Sequence, residues 1–153
     1  MQNAEQADFQ PFDASTWKIG LVVAQFNKHI TGALQASALE RAKEYGLKPE
    51  NIIVVPVAGA VEVPLVLQKM AKSNNYDALM AVGCVIKGVT PHFDYVCKFV
   101  SEGVLRVQLD TGTPIAFGVL TCNNQAEAQK RMHLGGEHLD AVMHQARVMR
   151  ELT

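Results

Sequence analysis

Apolar positions along this chain alternate between two patterns. Short, nearly unbroken runs rich in β-branched residues occur at Ile19 to Ala24 (IGLVVA), Ile52 to Val57, Ala78 to Ile86 and Pro114 to Leu120 (PIAFGVL). Such runs predict strands buried on both faces. Between them the apolar residues recur at helical spacing. Ile30, Leu34, Ala38, Ala42 and Tyr45 form one such series, ended by Gly46 as a helix-terminating residue would end it. A second helix starts at Pro64, runs through Leu67, Met70 and Ala71, and closes at Asn74-Asn75. A third follows Pro91, with Phe93, Val96, Cys97, Val100, Val104 and Val107 on one stripe.

After the fourth strand, Thr121 to Asn124 offer caps for a helix carrying Arg131, which Gly135-Gly136 should break. Leu139, Val142, Met143 and Ala146 then define a last helix. Strand and helix thus alternate with short connections, which predicts an α/β fold with a parallel sheet covered on both faces. Ligands of such sheets bind outside the carboxyl ends of the strands. That rim collects Gln25 to Asn27, Ala58 to Glu62, Cys84 to Thr90 and Leu120 to Asn124.

The most informative stretch is ALMAVGCVIKGVTPHFDYV, residues 78–96. A strand there should turn through Gly88 into a helix capped by Thr90, with Pro91 in its first turn. Unpaired N–H groups and the helix dipole make such an entrance an anion site. His92 puts a titratable ring beside it. The third helix also has apolar residues on more than one side, Phe99 next to Val100 and Leu105 next to Val104. That width predicts either contact with another subunit or sandwiching between layers.

Composition narrows the classes further. At 153 residues, 48% apolar and 19% charged, the chain reads as one compact domain with a full core. A net charge of −1 carries no basic footprint, so nucleic acid and anionic membrane are excluded as partners. No apolar stretch is long enough to span a membrane. Cys84, Cys97 and Cys122 lie in apolar surroundings without metal-ligand spacing, so no metal is expected. They read as buried free thiols of a reducing compartment, the cytoplasm. Residues 1–17 have the features of neither a signal peptide nor a transit peptide. They are expected to form a mobile arm, or an edge strand pairing with a neighbouring chain, ahead of a domain spanning 18–153.

FN at 26–27, GAVEVP at 59–64, GCVIKGVTPHFDYV at 83–96, FGVLT at 117–121 and an Arg in the following helix together resemble the lumazine synthase family. The resemblance runs from about Lys18 to the end. It implies a three-layer flavodoxin-like sandwich around a four-stranded parallel sheet. It also implies a transferase of riboflavin biosynthesis that needs no cofactor. Its small-molecule substrates would be 5-amino-6-(D-ribitylamino)uracil and 3,4-dihydroxy-2-butanone 4-phosphate, condensed to 6,7-dimethyl-8-ribityllumazine. The family assembles from homopentamers with active sites between subunits.

By that resemblance Phe26 stacks on the pyrimidine, with Asn27 beside it as a further substrate-binding residue. Ala60, Val61 and Glu62 line the substrate, and Glu62 is placed to accept from ribityl hydroxyls. Cys84, Val85 and Ile86 hold the uracil edge through backbone. Val89 and Thr90 form the phosphate turn, and His92 moves protons. Phe117 and Arg131 come from the adjacent subunit. Two departures stand out. Val61 replaces the family's usual Phe or Tyr, and MHLGGEHLDAV after Arg131 lacks the Lys of the common bacterial form, Leu139 or His138 falling near its position. A shell protein that holds flavin or lumazine without turnover is the competing class. A flavodoxin-like FMN carrier fits less well, because it needs a hydroxyl- and Gly-rich loop where this chain has Gln25-Phe26-Asn27.

Overall fold

The computed structural model describes residues 4, 5 and 7–152. Four strands, β1 (Ile19–Ala24), β2 (Ile52–Val57), β3 (Ala78–Ile86) and β4 (Ile115–Cys122), form one parallel sheet in the order β2-β1-β3-β4. Five α-helices accompany it: α1 (Lys28–Glu44), α2 (Val63–Lys72), α3 (His92–Thr111), α4 (Gln125–Arg131) and α5 (Gly135–Glu151). This is a flavodoxin-like α/β sandwich.

Side-chain alternation along the strands splits the core in two. Leu21, Val23, Met80 and Val82 pack with Leu34, Ala38, Leu139 and Met143, which places α1 and α5 on one face. Val22, Ala24, Leu79 and Ala81 pack with Val63, Leu67, Val100 and Val104, which places α2 and α3 on the other. Each fully buried Leu or Val contributes about 1.5–3 kcal/mol relative to exposure. The third helix resolves its double stripe accordingly. Val100 and Val104 are sandwiched against the sheet, whereas Phe99, Leu105 and Leu109 stand exposed.

Three sequence expectations need adjustment. β4 begins after Pro114 and continues to Cys122, because Thr121 and Cys122 pair with Val85 and Ile86 of the long third strand. Helix α3 starts at His92, with Pro91 in the cap position and the Thr90 hydroxyl accepting from His92 N at 3.4 Å. Gly135 and Gly136 do not interrupt a helix; they open α5, and the break falls at residues 132–134. The reason is a close approach of helices. A Cβ on Gly135 would lie 1.9 Å from the Leu34 carbonyl oxygen of α1. Ser37 of α1 secures the crossing by accepting from Gly136 N at 2.9 Å and donating to His133 O at 2.8 Å.

Deeper along the same crossing, buried Asp140 accepts from Arg41 and, at 2.7 Å, from the Tyr45 hydroxyl. Residues 7–18 form no strand within the chain. They lie over the α1–α5 layer, where Phe12 meets Trp17 and Tyr45 edge-on and the Arg147 guanidinium covers the Phe12 ring. Ala14 N donates to Tyr45 O at 2.8 Å.

Candidate active site

The order β2-β1-β3-β4 reverses direction at β1, so a crevice opens outside the carboxyl ends of β1 and β3. Chain β1 leaves it toward α1 on one face, and β3 leaves toward α3 on the other. Phe26 follows β1 and is 71% exposed, so its ring is available to a ligand. A Cβ on Gly59 would lie 2.7 Å from Phe26 Cδ2, so only glycine lets the ring lie against that loop. Gly59 N in turn donates to Glu62 Oε2 at 3.0 Å, which fixes the 59–62 turn. Gly59 is a site residue that motif reading did not single out. Its signal was present in the GAVE turn, but only packing shows what the missing side chain makes room for.

Backbone parity along β3 decides what the crevice presents. In a parallel ladder both polar groups of a residue point to the same neighbouring strand, and successive residues alternate. Leu79 N donates to Pro114 O and Lys87 N to Cys122 O, so odd-numbered residues of β3 face β4. Cys84 and Ile86 therefore face β1, whose ladder with β3 has already ended at Val23 and Val82. Val85 faces β4. Of the three backbone candidates, Ile86 is the one aimed into open crevice, and the Cys84 carbonyl accepts from Asn27 Nδ2 at 2.9 Å. Burial pushes the Cys84 thiol up to about 11, with nearby Cys122 adding to the effect. The thiol is neutral at pH 7 and is no nucleophile.

Lys87, Gly88, Val89, Thr90, Pro91 and His92 are all exposed in the turn that leads into α3. A helix of 20 residues begins there, with the N–H groups of its first turn and its dipole directed at the turn. Asp94 also lies in that first turn, so a doubly charged phosphate there gains from a cation brought from elsewhere.

Phe26, Ala60, Val61, Glu62, the 84–86 strand end, Val89, Thr90 and His92 thus lie along one rim. Phe117 is not among them. Phe117 pairs with Ala81 at mid-sheet, five residues before the end of β4, or about 16 Å below the rim at the usual strand rise. Arg131 ends α4, which buries Ala128 on the α1–α5 side, and its charge is felt at Cys122, the last residue of β4. Arg131 Nη1 donates to Glu127 O at 2.8 Å. The Glu127 carboxylate accepts from Asn123 N at 2.7 Å and is held below the usual carboxylate range, chiefly by that bond.

In the altered segment after Arg131, neither Leu139 nor His138 reaches the rim. Leu139 is buried in the core. His138 lies over β4, its Nδ1 3.3 Å from where a Cβ on Gly118 would sit. That nitrogen is buried without a hydrogen-bond partner among the described residues. Burial lowers the His138 pKa. Stability should therefore fall once pH drops below the unfolded imidazole value of about 6.5, where the unfolded chain takes up a proton the folded chain resists. The loss is complete when pH has passed the lower folded value. Urea midpoints measured from pH 7.5 to pH 5 should decline, and His138→Gln should flatten that decline.

Among the described residues no three His, Cys, Asp or Glu side chains group as a metal site would require. No described helix is long and apolar enough to cross a membrane.

A profile of the family described as 6,7-dimethyl-8-ribityllumazine synthase matches residues 16–150. A protein named 6,7-dimethyl-8-ribityllumazine synthase from Desulfovibrio desulfuricans is 41% identical over 145 residues, covering 92% of this chain and 93% of its own length.

Proposed function

The chain belongs to the 6,7-dimethyl-8-ribityllumazine synthase family, and on that premise we propose that it condenses 5-amino-6-(D-ribitylamino)uracil with 3,4-dihydroxy-2-butanone 4-phosphate. The 5-amino group adds to the ketone, and water leaves as the imine forms. Phosphate is then eliminated, and ring closure by the ribitylamino nitrogen releases a second water. The observation that carries this assignment is the single rim on which an exposed aromatic, a strand end open on its β1 side and a helix entrance with an imidazole meet.

Each reactant finds a matching surface there. The pyrimidine stacks on Phe26, an interaction worth about 0.5–1.5 kcal/mol beyond area burial. Its uracil edge meets the strand end at 84–86, and Ala60, Val61 and Glu62 line the ribityl chain. Val89 and Thr90 cradle the phosphate, and His92 transfers protons. Phe117 and Arg131 complete the site from an adjacent copy in a homopentamer. Two features support that arrangement: the depth of Phe117 below the end of its own strand, and the exposed apolar side chains of α3. A groove of about 770 Å³ between α2 and α3, lined by Val61, Pro64, Leu65 and Phe99, adds surface for a neighbouring subunit. Free thiols at Cys84, Cys97 and Cys122 suit the cytoplasm.

The amine is already nucleophilic, so alignment dominates. Holding two reactants in place can supply effective molarities of about 10⁵ M or more, against about 10²–10⁴-fold from general acid–base help. His92→Ala should therefore lose about 10²-fold in turnover while keeping its fold by circular dichroism. A fall to the uncatalysed rate would reverse that ranking. The direct test of function is to mix purified protein with both substrates and follow lumazine absorbance, with light scattering on the same sample for assembly size. No lumazine above the uncatalysed rate would overturn the assignment.

A further inference from the structure

One side chain bridges the crevice between β1 and β3. Asn27 sits in the left-handed region at φ 59°, ψ 47°, a conformation Asn tolerates better than other side chains. Its carbonyl starts α1 by accepting from Ile30 N at 2.9 Å and Thr31 N at 3.0 Å. Its side chain does not cap that helix. It reaches instead to the Cys84 carbonyl at 2.9 Å.

The reason lies in how the ladder ends. Gln25 N donates to Val57 O of β2, so odd-numbered residues at this end of β1 face β2 and even-numbered ones face β3. Were the ladder continued, Phe26 N–H would be the next donor to the Cys84 carbonyl. Phe26 N donates to Ala58 O at 3.1 Å instead. That diversion carries the Phe26 ring over Gly59 and would leave the Cys84 carbonyl without its rung. The Asn27 amide supplies the missing donor from a side chain.

We propose that Asn27 is a positioning residue: by replacing the lost rung it fixes the strand end at Cys84, so that the Ile86 backbone groups are held facing the pyrimidine while Phe26 is released to stack on it. This role rests on the synthase assignment above. It also departs from direct substrate contact by the Asn27 side chain, which the family resemblance implies.

Two variants separate the side chain from the backbone. Asn27→Gly keeps the left-handed turn and deletes the donor. Asn27→Asp keeps the shape and turns an acceptor toward an acceptor. Both should raise KM for 5-amino-6-(D-ribitylamino)uracil about tenfold, the usual scale for one lost hydrogen bond. KM for the butanone phosphate should stay within about twofold, since its cradle lies beyond the bridge. Peptides covering residues 84–87 should exchange amide hydrogens faster in both variants. An unchanged pyrimidine KM, equal shifts in both KM values, or a raised pyrimidine KM with unaltered exchange would each overturn the proposal, the last by showing that Asn27 touches substrate itself. A lowered melting temperature with neither KM changed would mark the bridge as structural only. If the parent protein makes no lumazine, the functional assignment fails. The exchange comparison still decides the bridge, faster exchange supporting it and unchanged exchange overturning it.

Discussion

Arg131→Ala is expected to raise KM for the butanone phosphate about 30- to 100-fold, the equivalent of one to two charge-assisted hydrogen bonds to phosphate. KM for the pyrimidine should move by no more than about threefold. The asymmetry follows from charge. The turn at 87–92 offers backbone donors and a helix end, with Asp94 also in the first turn. A guanidinium that binds through two parallel bonds suits a phosphate held in such a cradle. Arg131→Lys keeps the charge without the fork and should fall between the parent and alanine. The fold should survive, because Arg131 ends a seven-residue helix whose core contact is Ala128. Steady-state kinetics with each substrate varied in turn would decide the matter, and equal effects on both would remove Arg131 from the phosphate site.

Gly135→Ala is expected to be the most destabilising single methyl group in the molecule. The added carbon would stand 1.9 Å from the Leu34 carbonyl oxygen and 2.8 Å from its carbonyl carbon. Both are backbone atoms of α1, so no rotamer change relieves the clash. Overpacking of this kind costs about 1–3 kcal/mol and more where backbone must move, out of a total of about 5–15 kcal/mol for a domain. A fall in melting temperature of about 8 °C or more follows for a chain of this size. Gly136→Ala provides the control. Its nearest contacts would be 3.4 Å away, and the gain in helix propensity of about 1 kcal/mol offsets them. Thermal melts of the two variants side by side would test the crossing, and similar values for both would refute it. Since the turn at 132–134 joins α4 to this crossing, Gly135→Ala should also disturb the placement of Arg131.

How far the sequence reveals this molecule depends on the range of each interaction. Strands β1 and β3 were legible to their ends, because a central parallel strand must be apolar on both faces and the run stops where burial stops. Strand β2, also read to its ends, is an edge strand and only half-buried rather than buried on both faces. The C-terminal Gly46, at φ 72°, was legible for a local reason, the left-handed turn that ends a helix. Gly135 and Gly136 misled as helix breakers because their role is set by Leu34 and Ser37, roughly a hundred positions away. The end of β4 depended on how far β3 extends beside it. The rim could be assembled from topology. The diversion of Phe26 N to Ala58 and the reach of Asn27 to Cys84 could not, because both depend on which neighbouring strand each backbone group faces. The depth of Phe117 below the end of β4 likewise came only with the register of that strand.

Asp77, immediately before β3, accepts from Lys18 N at 2.8 Å through one oxygen and from Arg150 through the other. The start of the first strand and the last turn of the final helix are thereby joined at the amino-terminal edge of the sheet, across the molecule from the substrate crevice. A fluorescent label attached at exposed Leu152 would accordingly project away from the chemistry. Labelled protein should turn over substrate at the parent rate, which makes the end of α5 a natural handle for tracking the enzyme.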